Sequence, residues 1–232
     1  MPERGRLLAL VPDEPAVVEA RALLLSCEAV LWFEEGRSGF VAGEPGDDVV
    51  AVVGEVRSEW IDEAVRRMKP GGVVLAYPKN LDEVRAALPG WKVERALIFD
   101  GAGVRNVNDA AVRWLEPGEV ERIEDAGLRD EMTHALRWTQ VAAVWLDGVP
   151  VAFCYAAWMT ERRWDISIDT VEAYRRMGYA ERAVRWTIGQ MRTRGKEPVW
   201  GALESNVASR GLAGKLGFRP AGELWVLRRG GS

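Results

Sequence analysis

The sequence is poor in the side chains that metal sites and thiol chemistry require. Its 232 residues include two cysteines, Cys27 and Cys154, and one histidine, His134. The cysteines lie far apart without the spacing of metal ligands, and a single histidine argues against a zinc centre or a Ser-His-Asp triad. We therefore expect no metal site, and we expect both cysteines to be reduced thiols in the core.

An excess of positive charge and long apolar runs are also missing. The formal net charge is -4, and no long block of lysine and arginine indicates the basic surface of a nucleic-acid-binding protein. No apolar run approaches the roughly 18 residues of a membrane span, and the start of the sequence lacks the pattern of a secretory signal. We therefore expect a cytoplasmic protein with small-molecule partners and without nucleic-acid or membrane partners.

The length and the turn-forming residues indicate two lobes. The stretch from Gly101 to Asp109 is rich in glycine, asparagine and aspartate, so we place a boundary there, between residues 1–108 and 109–232. The first lobe alternates apolar runs with amphipathic stretches, and no internal repeat is evident. In the second lobe, Asp147-Gly148 predicts a two-residue hairpin turn, because both residues tolerate positive φ angles. The second lobe thus has a mixed α/β order with an antiparallel start.

One segment of the second lobe indicates chemistry. The sequence from Asp165 to Thr170 alternates polar and apolar residues, as a strand with one core face does, whereas the apolar residues after Ala180 follow helical spacing. A strand-to-helix turn between them would present free backbone N–H groups and the positive end of the helix dipole, which favour a phosphate group. Gly178 would permit close approach to the backbone, and Arg175 and Arg176 add guanidinium groups that suit phosphate oxygens. The segment therefore predicts a diphosphate site.

The pattern Arg175-x-x-Gly178-x-Ala180 resembles the Arg/Gln-x-x-Gly-x-Gly/Ala motif of the GNAT superfamily of acyl-CoA-dependent N-acetyltransferases. In that family the turn binds the diphosphate of coenzyme A. Two later segments, residues 198–206 and 208–218, resemble the family's fifth strand with its Asn motif and the helix that ends in Lys-x-Gly-Phe. The resemblance runs from about residue 113 to the C terminus, nearest to the zwittermicin-resistance-like and glycine-acyltransferase-like branches.

The resemblance implies a fold, an activity and a set of binding residues. The fold would be α/β (α+β), with a mixed, largely antiparallel central sheet and helices on both faces, joined to a smaller α/β N-terminal lobe of unknown role. The activity would be transfer of an acetyl group from acetyl-CoA to a primary amine of a small molecule, without a metal. Apart from the resemblance, we keep a homodimer open. The residues implied to bind the cofactor are Thr170, Val171, Arg175, Arg176, Met177, Gly178, Tyr179, Ala180, Asn206 and Ser209.

The catalytic groups are less well defined. The general base must be a carboxylate, and we rank Glu204 first, then Asp165, then Asp169. Many members of the family carry a tyrosine as general acid where this sequence has Ala213. The acid would then have to be one of the remaining hydroxyl groups or water, the hydroxyl candidates being Ser209, Ser205 and Tyr155.

Other interpretations stay open. The missing tyrosine also fits a protein of the same fold that binds acyl-CoA as a sensor or scaffold without turnover. Residues 68–75, Met-Lys-Pro-Gly-Gly-Val-Val-Leu, are similar to a late segment of S-adenosylmethionine-dependent methyltransferases, but the glycine-rich loop that should precede it is absent. Asn206 is equally a favoured helix N-cap, and Ser209 is equally an ordinary residue at the start of a helix.

Overall fold

The computed structural model describes residues 2–230, which form two compact units. The first unit contains the described residues up to Phe99, then Gly201–Arg210 and the described residues from Pro220 onward. The second unit contains Asp100–Trp200 and Gly211–Arg219. The proposed domains 1–108 and 109–232 stay a prediction, since these units are defined by contacts in space and are not contiguous in sequence. No helix within residues 2–230 has the length and apolar character that crossing a membrane would take.

The first unit is a mixed sheet flanked by helices. Its elements are α1 (Pro2–Leu8), α2 (Val18–Leu25), β1 (Val30–Phe33), β2 (Gly39–Gly43), β3 (Val49–Gly54), α3 (Ser58–Arg67), β4 (Val73–Ala76), α4 (Leu81–Ala87), β5 (Lys92–Asp100) and β11 (Arg219–Arg228). The strands pair in the order β1-β2-β3-β4-β11-β5, with β1/β2, β2/β3 and β4/β11 antiparallel and β3/β4 parallel.

The core of the first unit follows from its apolar spacing. In α3, Ile61, Ala64 and Val65 lie on one helix face and are buried, while the glutamate and arginine residues point outward. Strands β2 to β4 are continuous apolar runs, as expected for strands that are covered on both faces. The buried face of α3 and the apolar side chains of β2 to β4 pack together in one cluster around Val41, Val52 and Val74.

A carboxyl group is buried in this unit. Glu19, in α2, is 8% exposed, and its Oε2 atom has no hydrogen-bond partner among the described residues. Burial raises the pKa of Glu19 to about 7 from its ordinary 4.5. Tyr77 is buried beside it, and burial together with the charge of Glu19 raises the pKa of its phenol. Folding of this unit therefore favours the protonated form of Glu19.

We expect the contribution of Glu19 to the stability of the wild-type protein to fall by about 3 kcal/mol as the pH rises from about 4.5 to above 7, because the folded state binds the Glu19 proton more tightly. Glu19→Gln should remove this part of the pH dependence, since glutamine keeps the shape and cannot ionise. Denaturant unfolding at several pH values would measure it, with Glu14→Gln, at an exposed position of the same unit, as the control. Equal pH slopes in the wild type and in Glu19→Gln would contradict the prediction.

The elements of the second unit are β6 (Val112–Trp114), α5 (Ala126–Ala135), β7 (Val141–Leu146), β8 (Val149–Met159), β9 (Arg163–Thr170), α6 (Tyr179–Arg192), β10 (Glu197–Leu203) and α7 (Val207–Leu216). Its strands pair in the order β10-β9-β8-β7-β6. The pairs β6/β7, β7/β8 and β8/β9 are antiparallel, and β9/β10 is parallel. The turn between β7 and β8 is formed by Asp147 and Gly148 with φ angles of 48° and 83°, which confirms the predicted hairpin. The prediction of a mixed, largely antiparallel α/β fold is confirmed.

The two units share part of their order of elements. In each, three consecutive strands pair antiparallel, and a helix then leads to a fourth strand that is parallel to the third. The connection from third strand to helix differs, since it is only Glu55–Arg57 in the first unit and Val171–Gly178 in the second.

In the first unit, a side chain links the ends of the parallel strands β3 and β4. Asn80 donates from its side-chain amide to the carbonyl of Val52 at 2.7 Å, and its side-chain oxygen accepts from the N–H of Tyr77 at 2.8 Å. Asn80 is 2% exposed. It therefore joins the end of β3 to the chain that leaves β4.

Candidate functional site

The predicted strand-to-helix turn is present and open. β9 ends at Thr170, and α6 begins at Tyr179 with Gly178 as its N-cap at a φ of 85°. A Cβ atom at Gly178 would meet no atom within 4 Å, and Met177 beside it is 61% exposed. The N–H groups of residues 177–180 donate to no carbonyl in the described part of the chain. These four donors at a helix N-terminus are thus without a backbone acceptor there, as an anion site requires.

The two arginines of this turn differ. Arg175 donates from Nε to the carbonyl of Thr170 at 3.2 Å, so that it lies against the end of β9. Arg176 is exposed and has a φ of 62°, in the left-handed region that few residues other than glycine and asparagine adopt. Both guanidinium groups lie at the turn, and among residues 2–230 only that of Arg175 has a hydrogen-bond partner.

Further arginines of α6 hold a loop of the same unit. Arg182 forms a bidentate ion pair with Asp109, with N···O distances of 2.6 and 2.9 Å, which lowers the pKa of the Asp109 carboxyl. Arg185 donates to the carbonyl of Arg105, and Arg192 donates to the carbonyl of Val104. These arginines therefore have a structural role.

One edge of β9 is available over most of its length. Among the described residues, β9 pairs with β10 at three positions only, where Arg163, Trp164 and Asp165 face residues 197–199. From Ile166 to Thr170, the strand is paired with β8 on its other side alone. An exposed strand edge can accept an extended ligand by backbone hydrogen bonding.

A group of polar side chains lies on one face of β8 and β9. Tyr155 on β8 stands opposite Ser167, and Asp169 lies two residues further along β9 on the same face. The phenol of Tyr155 donates to Glu131 Oε1, on α5, at 2.8 Å. Burial and the neighbouring Glu131 raise the pKa of Asp169 to about 7, and Arg175 opposes this shift. We call the side chains of Glu131, Tyr155, Ser167 and Asp169 the carboxyl cluster. It places a carboxyl group with a pKa of about 7 beside the open edge of β9. Glu131 was not among the predicted residues.

The other two candidate bases have different surroundings. Asp165 lies on the same face of β9 as Asp169, about 13 Å away along the strand, where β9 pairs with β10. Glu204 belongs to the first unit, where Arg95 binds both of its carboxylate oxygens and lowers its pKa. A carboxylate held by arginine is a weak proton acceptor.

Asn206 and Ser209 also belong to the first unit. The side-chain oxygen of Asn206 accepts from the N–H of Ser209 at 3.0 Å, which makes Asn206 the N-cap of α7. The N–H of Ser205 donates to Glu94 at 3.2 Å. These contacts fix the start of α7.

Two further predicted positions are buried in the second unit. Ala213 is 0% exposed in α7, and Cys154 is 0% exposed in β8, where burial raises the pKa of its thiol to about 12. Cys27 is exposed, so the expectation that both cysteines lie in the core was wrong for Cys27, which follows the end of α2.

We expect Ala213→Tyr to destabilise the protein by about 1–3 kcal/mol or more, because the phenol would have to enter a packed interior. It should not add a general acid. Thermal unfolding would measure the loss, and Gly214→Tyr, at a position of the same helix where an added Cβ would meet no atom within 4 Å, is the control. A stable Ala213→Tyr protein with faster acetyl transfer would contradict this.

The comparisons with known proteins agree with this geometry. The family model of the GNAT acetyltransferases matches residues 142–227. The C-terminal half of the chain therefore contains a GNAT acetyltransferase domain. None of the curated proteins matches the sequence.

Solved structures extend the likeness to nearly the whole chain. A GCN5-related N-acetyltransferase-like protein from Streptococcus suis has a TM-score of 0.72 at 16% identity, covering 98% of this chain and 99% of its own. A putative acetyltransferase of the GNAT family from Novosphingobium aromaticivorans has a TM-score of 0.64 at 18% identity, covering 95% and 98%. A tandem GNAT protein from the clavulanic acid biosynthesis pathway has a TM-score of 0.56 at 13% identity, covering 98% and 94%. At these identities, the likeness shows that the whole chain has a GNAT-like fold.

Proposed function

We propose that the protein is an N-acetyltransferase that moves an acetyl group from acetyl-CoA to a primary amine of a small molecule. The observation that carries this proposal is the open turn at residues 177–180, whose N–H groups donate to no carbonyl among the described residues. It continues directly from the strand that has a free edge and carries Asp169. Membership of residues 142–227 in the GNAT acetyltransferases supports the same activity.

The turn and the strand edge would divide the binding of coenzyme A between them. The N–H groups of Met177, Gly178, Tyr179 and Ala180, with the guanidinium groups of Arg175 and Arg176, suit the diphosphate. The backbone of β9 from Ile166 to Thr170 suits the amide-bearing arm, which can hydrogen-bond as an added strand. The N–H of Val171 is already used, because it donates to the carbonyl of Val151 at 3.0 Å, so Val171 stays only a predicted ligand. Asn206 and Ser209 stay predicted ligands.

Asp169 is the best-supported base. An amine must lose a proton to complete its attack on a thioester carbonyl, and a carboxyl group with a pKa of about 7 is matched to that task near neutral pH. Glu204 has a lowered pKa, so the order that we expected from the sequence is reversed in this proposal. Because burial and nearby carboxylates raise the pKa of Tyr155, it is a poor acid for the departing thiolate, and water takes that role.

Calorimetric titration with acetyl-CoA and a thiol-release assay with a panel of primary amines test the proposal. We expect saturable binding and amine-dependent release of coenzyme A. The absence of binding at high micromolar acetyl-CoA would overturn the proposal. Binding without release for any amine would favour the acyl-CoA sensor or scaffold. A cytoplasmic location, a small-molecule acceptor and a homodimer stay predictions.

A further inference from the structure

We propose that Glu131 is a positioning residue of the acyl-transfer site, acting on the incoming amine through Asp169. This inference rests on the function proposed above and adds a residue that no motif of the family indicates. It assigns a chemical role to α5, whose apolar residues alone would make it an ordinary core helix.

The packing of α5 brings Glu131 to the strand face. Its neighbours Met132 and Ala135 are buried in the same cluster as Phe153 and Tyr155 of β8. Glu131 itself is exposed, at the border between this cluster and solvent. An acceptor amine could therefore reach the carboxyl cluster from the side of Glu131.

Tyr155 fixes the position of Glu131. Its phenol is mostly buried and donates to Glu131 Oε1 at 2.8 Å. Tyr155 is paired with Ser167, two residues from Asp169 on the same face of β9. Burial and the neighbouring Glu131 carboxyl group raise the pKa of Asp169.

Asp169 therefore holds its proton more tightly than an ordinary aspartate does. Burial and Glu131 from α5 raise its pKa, and Arg175 from the turn opposes them. Asp169 in turn helps to raise the pKa values of Tyr155 and Cys154 on β8. A second negative charge beside Glu131 is unfavourable, so the ionised form of Asp169 is disfavoured up to about neutral pH.

Glu131→Gln separates this role from a structural one. Glutamine keeps an oxygen that can accept from Tyr155, but it carries no charge to disfavour the ionised form of Asp169. Asp169 should then ionise at a lower pH. Because the base acts when it is deprotonated, the acidic limb of the pH–rate profile should move to lower pH as well.

Carbon-13 NMR of the side-chain carboxyl groups in the ligand-free protein measures the titration of Asp169 without any assumption about activity. We expect its midpoint to fall by about one pH unit or more in Glu131→Gln. Asp130→Asn, on the same helix and exposed, removes the same charge one residue away and should leave the midpoint unchanged.

The outcomes separate the two proposals. An Asp169 midpoint that is equal in the wild type and in Glu131→Gln would overturn the role of Glu131, whatever the activity. A shift equal to that of Asp130→Asn would do the same, because it would reflect net charge alone. A specific shift in a protein that releases no coenzyme A with any amine would leave the carboxyl pair in place and overturn its function in acyl transfer. A specific shift with a matching move of the pH–rate profile supports both.

Discussion

Asp169→Asn should lower kcat by about 10²- to 10⁴-fold, with a small effect on the affinity for acetyl-CoA. Asparagine has nearly the same shape but cannot accept the proton of the amine, and general-base catalysis typically contributes a factor of this size. The wild-type rate should rise with pH through about 7, because Asp169 must be deprotonated to act. Steady-state kinetics over a range of pH values, with calorimetric binding of acetyl-CoA, would measure both quantities.

The controls for this result come from the same chain. Asp147→Asn removes a carboxylate from the hairpin turn of the same unit, where asparagine also tolerates the left-handed backbone, and it should keep wild-type kinetics. Glu204→Gln is the rival variant. A large loss of kcat in Glu204→Gln, together with nearly normal turnover in Asp169→Asn, would transfer the role of base to Glu204.

Loss of both arginines of the turn should weaken binding of coenzyme A by about 2–4 kcal/mol, or roughly 30- to 1000-fold in Kd. Arg175→Ala with Arg176→Asn is the suitable variant, because asparagine tolerates the positive φ of Arg176. Most of the loss should come from Arg176, since Arg175 already donates to Thr170. Calorimetric titration measures the change.

The choice of ligand locates the contact. Coenzyme A and its dephospho form should lose affinity equally if the arginines bind the diphosphate, which both share. Arg137→Ala, at an exposed position of the same unit, should bind both ligands as the wild type does. An unchanged Kd in the double variant would mean that the two arginines are only solvated.

The sequence was sufficient where structure follows local patterns. The change of period between Asp165 and Ala180 predicted a strand, a turn and a helix, and all three are present. The Asp147-Gly148 hairpin was predicted for the same reason, because its conformation depends on two adjacent residues.

The carboxyl cluster could not be found in this way. Glu131 and Tyr155 are 24 positions apart, and Glu204 and Arg95 are 109 positions apart. No periodic pattern encodes which side chains meet when a helix packs on a strand or when distant strands pair. The pKa order of the candidate bases therefore required the tertiary contacts.

The shared order of elements in the two units also escaped the sequence. The connections between their elements differ in length. The residues that hold these connections, such as Asn80, are polar residues that form no recognisable motif in the sequence. The parallel pairing of β3 with β4 and of β9 with β10 shows that the two units are alike. The direction of strand pairing depends on the path of the backbone and not on residue identity.

The burial of Cys154 bears on how turnover can be followed. A colorimetric reagent for free sulfhydryls would react slowly with this residue, because a pKa of about 12 leaves almost no thiolate near neutral pH. Exposed Cys27 supplies the remaining background, one equivalent for each polypeptide. Replacing that single surface residue with serine should give an enzyme preparation in which the colour that develops measures liberated coenzyme A alone.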